Sequence, residues 1–342
     1  MIDNTALARQ KKRLVRLSER RIKRTTVLVH EDNIDALNFL RPQLVAPECA
    51  DALSHLTRGT ASALKVGNNL ANVKQLSPFR YPGGKTWLVP EVRRWISTLG
   101  YRPSVFIEPF AGGGSIGLTV AIENLADQVI LVELDPDVSA VWKVIFGKRA
   151  EDVDWLTTQI ACASLSDDFV KEVIFSKPTS LKERAFRTII KNRCQRGGIL
   201  APGAGLVKSG ENGRGLLSRW YPETLVDRIE LLRSVRARVQ FVEGHAFDMI
   251  SKHSDDPSVA WFVDPPYSLG GKKAGQRLYL HCDIDHARLF HMMASARGKF
   301  LMTYDDTTEV LDYAHVYDLT IKRLPMRSTH NKVVNEIVIT KI

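Results

Sequence analysis

The sequence predicts an α/β fold, with a mainly parallel sheet covered by helices. Three observations predict it. Apolar runs of strand length recur at 104–107, 129–132, 239–242, 259–263, 300–304 and 336–339. They show little polar alternation, as expected of strands buried on both faces. Helical stretches fall between them, the first at 115–125, and strands alternating with helices build parallel sheets. A glycine-rich turn, Ala111-Gly112-Gly113-Gly114, joins the first run to that helix.

Taken in order, the chain begins outside this pattern. Between residues 9 and 24, nine Lys and Arg face the single acid Glu19. A β-branched run at 25–29 is strand-like. Ile34, Leu37, Phe39 and Leu40 recur at helical spacing, Pro42 and Pro47 interrupt, and 48–56 fits a second helix. Strand followed by two helices loosely resembles a ribbon-helix-helix DNA-binding module, which reads the major groove as a dimer. A non-specific basic DNA arm and a solvated extension are the alternatives. Residues 59–75 are small and polar, so they predict a linker, and 1–75 is set apart as a basic N-terminal extension.

Length and composition are those of a globular chain: 342 residues, 44% apolar and 25% charged. The balance of 48 Lys+Arg against 38 Asp+Glu gives +10, which points to a polyanionic partner, most economically nucleic acid. The charge is concentrated. Residues 177–219 hold ten bases against Glu183 and Glu211, and 1–75 hold thirteen against seven acids, so the remainder is slightly acidic. Cys49, Cys162, Cys194 and Cys282 form no CxxC pair, which argues against a disulfide scaffold and fits a reducing cytosol. No apolar run reaches the roughly 18 residues that span a bilayer, and no apolar stretch behind the basic N-terminus makes a secretory signal.

Two motifs carry chemistry. In Phe106-Ile107-Glu108-Pro109-Phe110-Ala111-Gly112-Gly113-Gly114-Ser115-Ile116-Gly117, glycines allow a tight turn and close approach of a ligand. The helix N-terminus behind them offers N–H groups to an anionic group. Glu133, ending the next strand, can accept hydrogen bonds from ribose hydroxyls, so the pattern suits a nucleoside cofactor. Read literally, Gly112-x-Gly114-x-x-Gly117 also fits a dinucleotide fingerprint, which leaves a dehydrogenase open. The second motif, Asp264-Pro265-Pro266-Tyr267, follows the run at 259–263. An exocyclic base amine is a poor nucleophile because its lone pair is delocalised into the ring. The Asp264 carboxylate and the Pro265 carbonyl can hold its two N–H hydrogens, the prolines stiffen the loop, and Tyr267 can stack on the base. Such a base must leave the duplex.

Other features carry less. Gly84-Lys85-Thr86 ends like a P-loop, but Phe79 stands where that motif needs glycine. His281, Cys282, Asp283, Asp285, His286 and His291 cluster, yet fit no zinc spacing, and no metal is expected. Asp305, Asp306 and Glu309 read as a loop and helix start.

Together these motifs make residues 77–342 resemble the D12-class, Dam-like family of N6-adenine DNA methyltransferases. FRYPGGK at 79–85 resembles the family's opening cofactor motif, and FIEPFAGGGSIGL at 106–118 its S-adenosylmethionine motif. VELD at 132–135 resembles its ribose-binding acid, and DPPY at 264–267 its catalytic motif. Weaker matches lie at Asn192-Arg193, Trp220-Tyr221-Pro222-Glu223, 244–248, and Arg327-Ser328 through Asn331 and Glu336.

The resemblance implies a class I S-adenosylmethionine-dependent methyltransferase, a Rossmann-like mixed sheet flanked by helices. Its catalytic domain would span 76–150 and 239–342, with a target-recognition insertion at 151–238. It implies S-adenosyl-L-methionine as cofactor, with Tyr81 and Lys85 at the methionine end. Glu108 with the backbone at Ala111 and Gly112 would hold its amino acid part and Glu133 its ribose; Phe110, Gly114, Asp248 and Asp264 complete the cofactor set. Asp135 stands where many relatives carry Asn. Asp264, Pro265, Pro266 and Tyr267 would be catalytic. Lys191, Arg193, Arg196, Lys208, Arg214, Arg219, Arg327 and Asn331 would contact double-stranded DNA. A cognate restriction endonuclease is a candidate partner. A monomer or weak dimer in a bacterial or phage-infected cytoplasm, at the nucleoid and away from membranes, is expected. N4-cytosine methylation, and a DNA-binding regulator with a vestigial methyltransferase domain, are the rival readings.

Overall fold

Seven strands follow one another along the described chain: β1 (Val105–Glu108), β2 (Gln128–Glu133), β3 (Val239–Glu243), β4 (Val259–Val263), β5 (Lys299–Asp305), β6 (Thr320–Arg327) and β7 (Val333–Thr340). They belong to a computed structural model that describes residues 73–81, 83–210, 213–267, 283–327 and 333–341. The strands form one sheet in the order β3-β2-β1-β4-β5-β7-β6. β1 to β5 pair in parallel, and β7 runs antiparallel to both β5 and β6. This is a Rossmann-like mixed sheet, as the resemblance implies. The order reverses between β1 and β4, so the loops leaving their carboxyl ends open one crevice.

Strand burial explains the unalternating sequence runs. Successive side chains point to opposite faces, and both faces are covered. Phe106, Val129, Leu131, Phe262 and Leu301 join one apolar cluster. Helices α1 (Val89–Thr98), α2 (Ser115–Ile122) and α3 (Pro136–Phe146) pack into it. Ile107, Ile130, Trp261, Phe300 and Met302 join a second cluster on the opposite face.

Six of the seven strands coincide with apolar runs. β6 was not expected, because Thr320–Arg327 carries Lys322, Arg323 and Pro325. It is an edge strand, where charge and proline are tolerated and discourage further pairing.

The expected insertion supplies α4 (Ala150–Cys162), α5 (Asp167–Phe175), α6 (Leu181–Cys194) and α7 (Pro222–Ser234). Ile160, Ile189, Ile190, Leu225 and Ile229 share the first cluster with Trp142 of α3 and Leu131 of the sheet. These helices are therefore continuous with the catalytic core rather than a separately packed layer. The glycine-rich stretch between α6 and α7 forms 3-10 turns at Arg196–Gly198 and Gly215–Arg219. The 1–72 part of the extension, with its strand and helix expectations, lies outside the described residues.

Beyond β3 come α8 (Ala246–His253), α9 (His286–Ser295) and α10 (Thr308–Val316). Two of the residues that suggested a metal have local roles. Asp285 caps α9 by accepting from Arg288 N at 2.9 Å, and the buried His286 ring pairs with the Tyr304 hydroxyl at 2.8 Å. His281 and Cys282 lie outside the described residues. No described helix is long and apolar enough to cross a membrane. Replacing a capping carboxylate leaves helix N–H groups unpaired. Asp285→Ala should therefore lower unfolding free energy by about 1 kcal/mol in urea titrations.

Candidate active site

Glycine geometry shapes the first half of the site. β1 ends at Glu108, and the chain turns through Gly112 (φ +47°) and Gly114 (φ +65°) into α2. Both angles lie in the left-handed region that favours glycine. A Cβ on Gly112 would lie 2.5 Å from the Tyr81 ring, and one on Gly113 would lie 2.8 Å from Tyr81 Cβ. Gly114 caps α2 without a side-chain acceptor. Trp142 Nε1 fixes the turn from below by donating to Gly112 O at 3.0 Å.

Two acids flank this turn. The buried Glu108 accepts from Gly117 N at 2.7 Å. Burial pushes its carboxyl well above the usual range, although the Gly117 N–H favours the charged form. Glu133, at the end of β2, accepts from Gly112 N (2.8 Å), Leu134 N (2.7 Å) and Asp135 N (2.8 Å). Burial still raises its pKa to about 7. Asp135 N-caps α3 through Asp137 N at 2.8 Å.

The second half gathers around Asp264, which follows β4. Its Oδ1 accepts from Thr303 Oγ1 of β5 at 2.7 Å and from the Tyr267 hydroxyl at 2.8 Å, and meets Lys85 Nζ at 2.9 Å. Among the described residues none bonds Oδ2, so that oxygen remains an acceptor for a substrate. Lys85 Nζ also reaches Glu336 Oε1 of β7 at 3.2 Å and Gly83 O at 3.1 Å. Burial alone would lower the Lys85 pKa, but the carboxylates of Asp264 and Glu336 raise it above the ordinary lysine value. Tyr267 stacks on Tyr304 with centroids 5.6 Å apart, and its hydroxyl lies 2.6 Å from Glu336 Oε1.

These distances place a nucleoside-type turn and a carboxylate built to grip an amine at the same sheet end. A family model, D12 class N6 adenine-specific DNA methyltransferase, matches residues 81–323. The chain belongs to that family. It is a DNA adenine methyltransferase. No curated protein matches the chain. Among solved structures, similarity extends to a candidate RNA methyltransferase from Pyrococcus horikoshii at 12% identity, covering 82% of this chain and 92% of that one with TM-score 0.35. A precorrin-6y C5,15-methyltransferase from Geobacter metallireducens shares 10% identity over 73% and 86% of the two chains, with TM-score 0.31. The methyltransferase domain of a bacterial Hen1 shares 8% over 74% and 97%, with TM-score 0.32.

Within this methyltransferase several of the expected contact residues have partners inside the chain. Lys85, expected at the cofactor's methionine end, offers three N–H donors, and Gly83 O, Asp264 and Glu336 take all three. Its place is inside the catalytic cluster. Tyr267, expected to stack on a base, has Tyr304 on one ring face and its hydroxyl between two carboxyls. Arg193, expected on DNA, is buried and donates to Pro78 O. Burial, with Arg228, Arg80 and Arg219 nearby, pulls its pKa down to about 9. Lys191, together with Arg184 and Arg187, pairs with Asp137 of α3. Arg196, Lys208 and Arg214 are exposed, and Arg219 is partly covered. Phe110 is half-buried against the second cluster, and Asp248 is exposed in the first turn of α8. Asn331 and the Arg327 side chain lie outside what is described.

Sequence reasoning missed Thr303 and the catalytic placement of Glu336. The available signal was a polar residue in each of two otherwise apolar strands, FLMTY and EIVI, because a buried acid or hydroxyl needs a partner.

A ribose hydroxyl bonds best to an ionised acceptor. With the Glu133 pKa near 7, the fraction ionised falls as pH drops from 8 to 6. Binding of S-adenosylhomocysteine, followed by calorimetry, should weaken up to about tenfold across that interval, and Glu133→Gln should flatten the dependence.

Proposed function

We propose that the enzyme uses S-adenosyl-L-methionine to methylate N6 of an adenine flipped out of double-stranded DNA, at a specific site. The observation that carries this reading is the Asp264 carboxylate, fixed through one oxygen by Thr303, Tyr267 and Lys85 with the other left for substrate. The residues around the glycine turn fit the cofactor. The missing side chains of Gly112 and Gly113 let Tyr81 lie against the turn, where a Cβ would collide with it, and Glu133 stands at the carboxyl end of β2. Tyr81, the backbone at Ala111 and Gly112, and Glu133 would hold it, with Glu108 and Phe110 behind the turn and Asp248 at the rim. When bound, the cofactor supplies a methyl group on a positively charged sulfur.

The chain's own residues then orient the amine. Asp264 Oδ2 and the Pro265 carbonyl accept the two N6–H groups and turn the nitrogen lone pair toward the methyl donor. Pro266 keeps the loop rigid. No covalent enzyme intermediate is required, because the amine is itself the nucleophile. Catalysis rests on positioning and on fixed dipoles.

Arg196, Lys208, Arg214 and Arg219 supply positive charge for the DNA backbone, and residues 9–24 a second basic arm. A bacterial or phage origin, a cytoplasmic site of action and a cognate endonuclease as functional partner extend this reading. Adenine is favoured over cytosine N4 by the family match.

Asp264→Ala should reduce methylation at least about 100-fold while S-adenosylhomocysteine still binds. Nucleoside mass spectrometry of DNA from expressing cells reports the base, and N4-methylcytosine there would overturn the adenine assignment. Neutralising the arm at 9–24 should reduce the slope of DNA affinity against salt and leave the methylated site unchanged, as read by modification-sensitive sequencing.

A further inference from the structure

Proton counting around Tyr267 assigns a role to Glu336. The Tyr267 hydroxyl lies 2.8 Å from Asp264 Oδ1 and 2.6 Å from Glu336 Oε1. A phenol has one proton and can donate to only one carboxyl at a time. Two anionic oxygens at these distances would leave one contact repulsive, so a second proton must reside on one of the carboxyls. Asp264 Oδ1 already accepts from Thr303 and holds the shorter approach to Lys85, 2.9 Å against 3.2 Å for Glu336. Asp264 is therefore the better-solvated anion, and the proton belongs on Glu336.

We propose that Glu336 is a positioning residue of the methyl-transfer site, a neutral carboxylic acid that donates to Tyr267 so that Tyr267 donates to Asp264. The chain of donors fixes Asp264 Oδ1 from behind and leaves Oδ2 for the amine. This rests on the proposed role of Asp264.

The surroundings agree. Glu336 is buried, with 4% of its surface exposed, on a strand flanked by β5 and β6. The ionisable groups facing it are Lys85 from the loop before α1 and Asp264 and Tyr267 from the loop after β4. Its register partners are Asp305 on β5 and Leu324 on β6. Burial raises its pKa, with Asp264 adding to the rise and Lys85 opposing it. Since the protonated form is the competent one, activity should be present below that pKa and lost as pH rises through it.

The test is steady-state DNA methylation by the full-length enzyme across pH, with S-adenosylhomocysteine binding measured in parallel. Glu336→Gln can mimic the neutral acid, so it should lower kcat less than about tenfold and remove the alkaline limb of the wild-type profile. Glu336→Ala should lower kcat more than about 100-fold while changing S-adenosylhomocysteine affinity less than about threefold. A Glu336→Gln enzyme that keeps the wild-type alkaline limb, or that falls as far as Glu336→Ala, would overturn the proposal. If Glu336→Ala unfolds in a thermal melt, the Glu336→Gln profile alone decides. A wild-type enzyme with no methylation would instead count against the underlying reading of Asp264.

Discussion

The Lys85 ammonium, held between Asp264 and Glu336, is the interaction on which the site depends. It joins three segments remote in sequence: the loop before α1, the loop after β4 and the antiparallel strand β7. Two ionised carboxylates so close would repel each other, which Lys85 and a proton on Glu336 together avoid, and a buried cation without partners would be costly. The three groups are tolerable only together. Removing the lysine would leave the Asp264 anion uncompensated, so the loop after β4 and the loop before α1 are coupled by electrostatics.

The stretch 77–80 that precedes this lysine is tied to α6 and α7. Asn192 accepts from Arg80 N at 2.8 Å and donates to Arg80 O at 3.0 Å, and Arg193 and Arg228 donate to Pro78 O and Ser77 O. These side chains satisfy the backbone of a loop that has no strand or helix to do so. Gly198 approaches Arg80 so closely that a Cβ would lie 2.2 Å from Arg80 O. The basic region at 177–219 is therefore divided. Arg184, Arg187, Lys191 and Arg193 are engaged inside the fold, while Arg196, Lys208 and Arg214 face outward. Within residues 177–219 the outward-facing charge is carried by Lys177 and by the glycine-rich stretch between α6 and α7.

The sequence by itself determined the parallel core, the glycine turn, Glu133 and the DPPY loop. Each is local: a buried strand must be apolar on both faces, a left-handed turn favours glycine, and a stiff Pro-Pro loop is written in consecutive residues. The family motifs occur in order along the chain for the same reason. β6 was hidden because an edge strand need not be apolar. Only the tertiary structure decided which charges meet. That Lys85 pairs with Asp264 and Glu336, that Thr303 braces the Asp264 carboxylate, and that Arg193 is internal depend on contacts across tens to hundreds of residues. Charge in a sequence is a property of a position, but whether it is neutralised, buried or offered to DNA is a property of its neighbours in space.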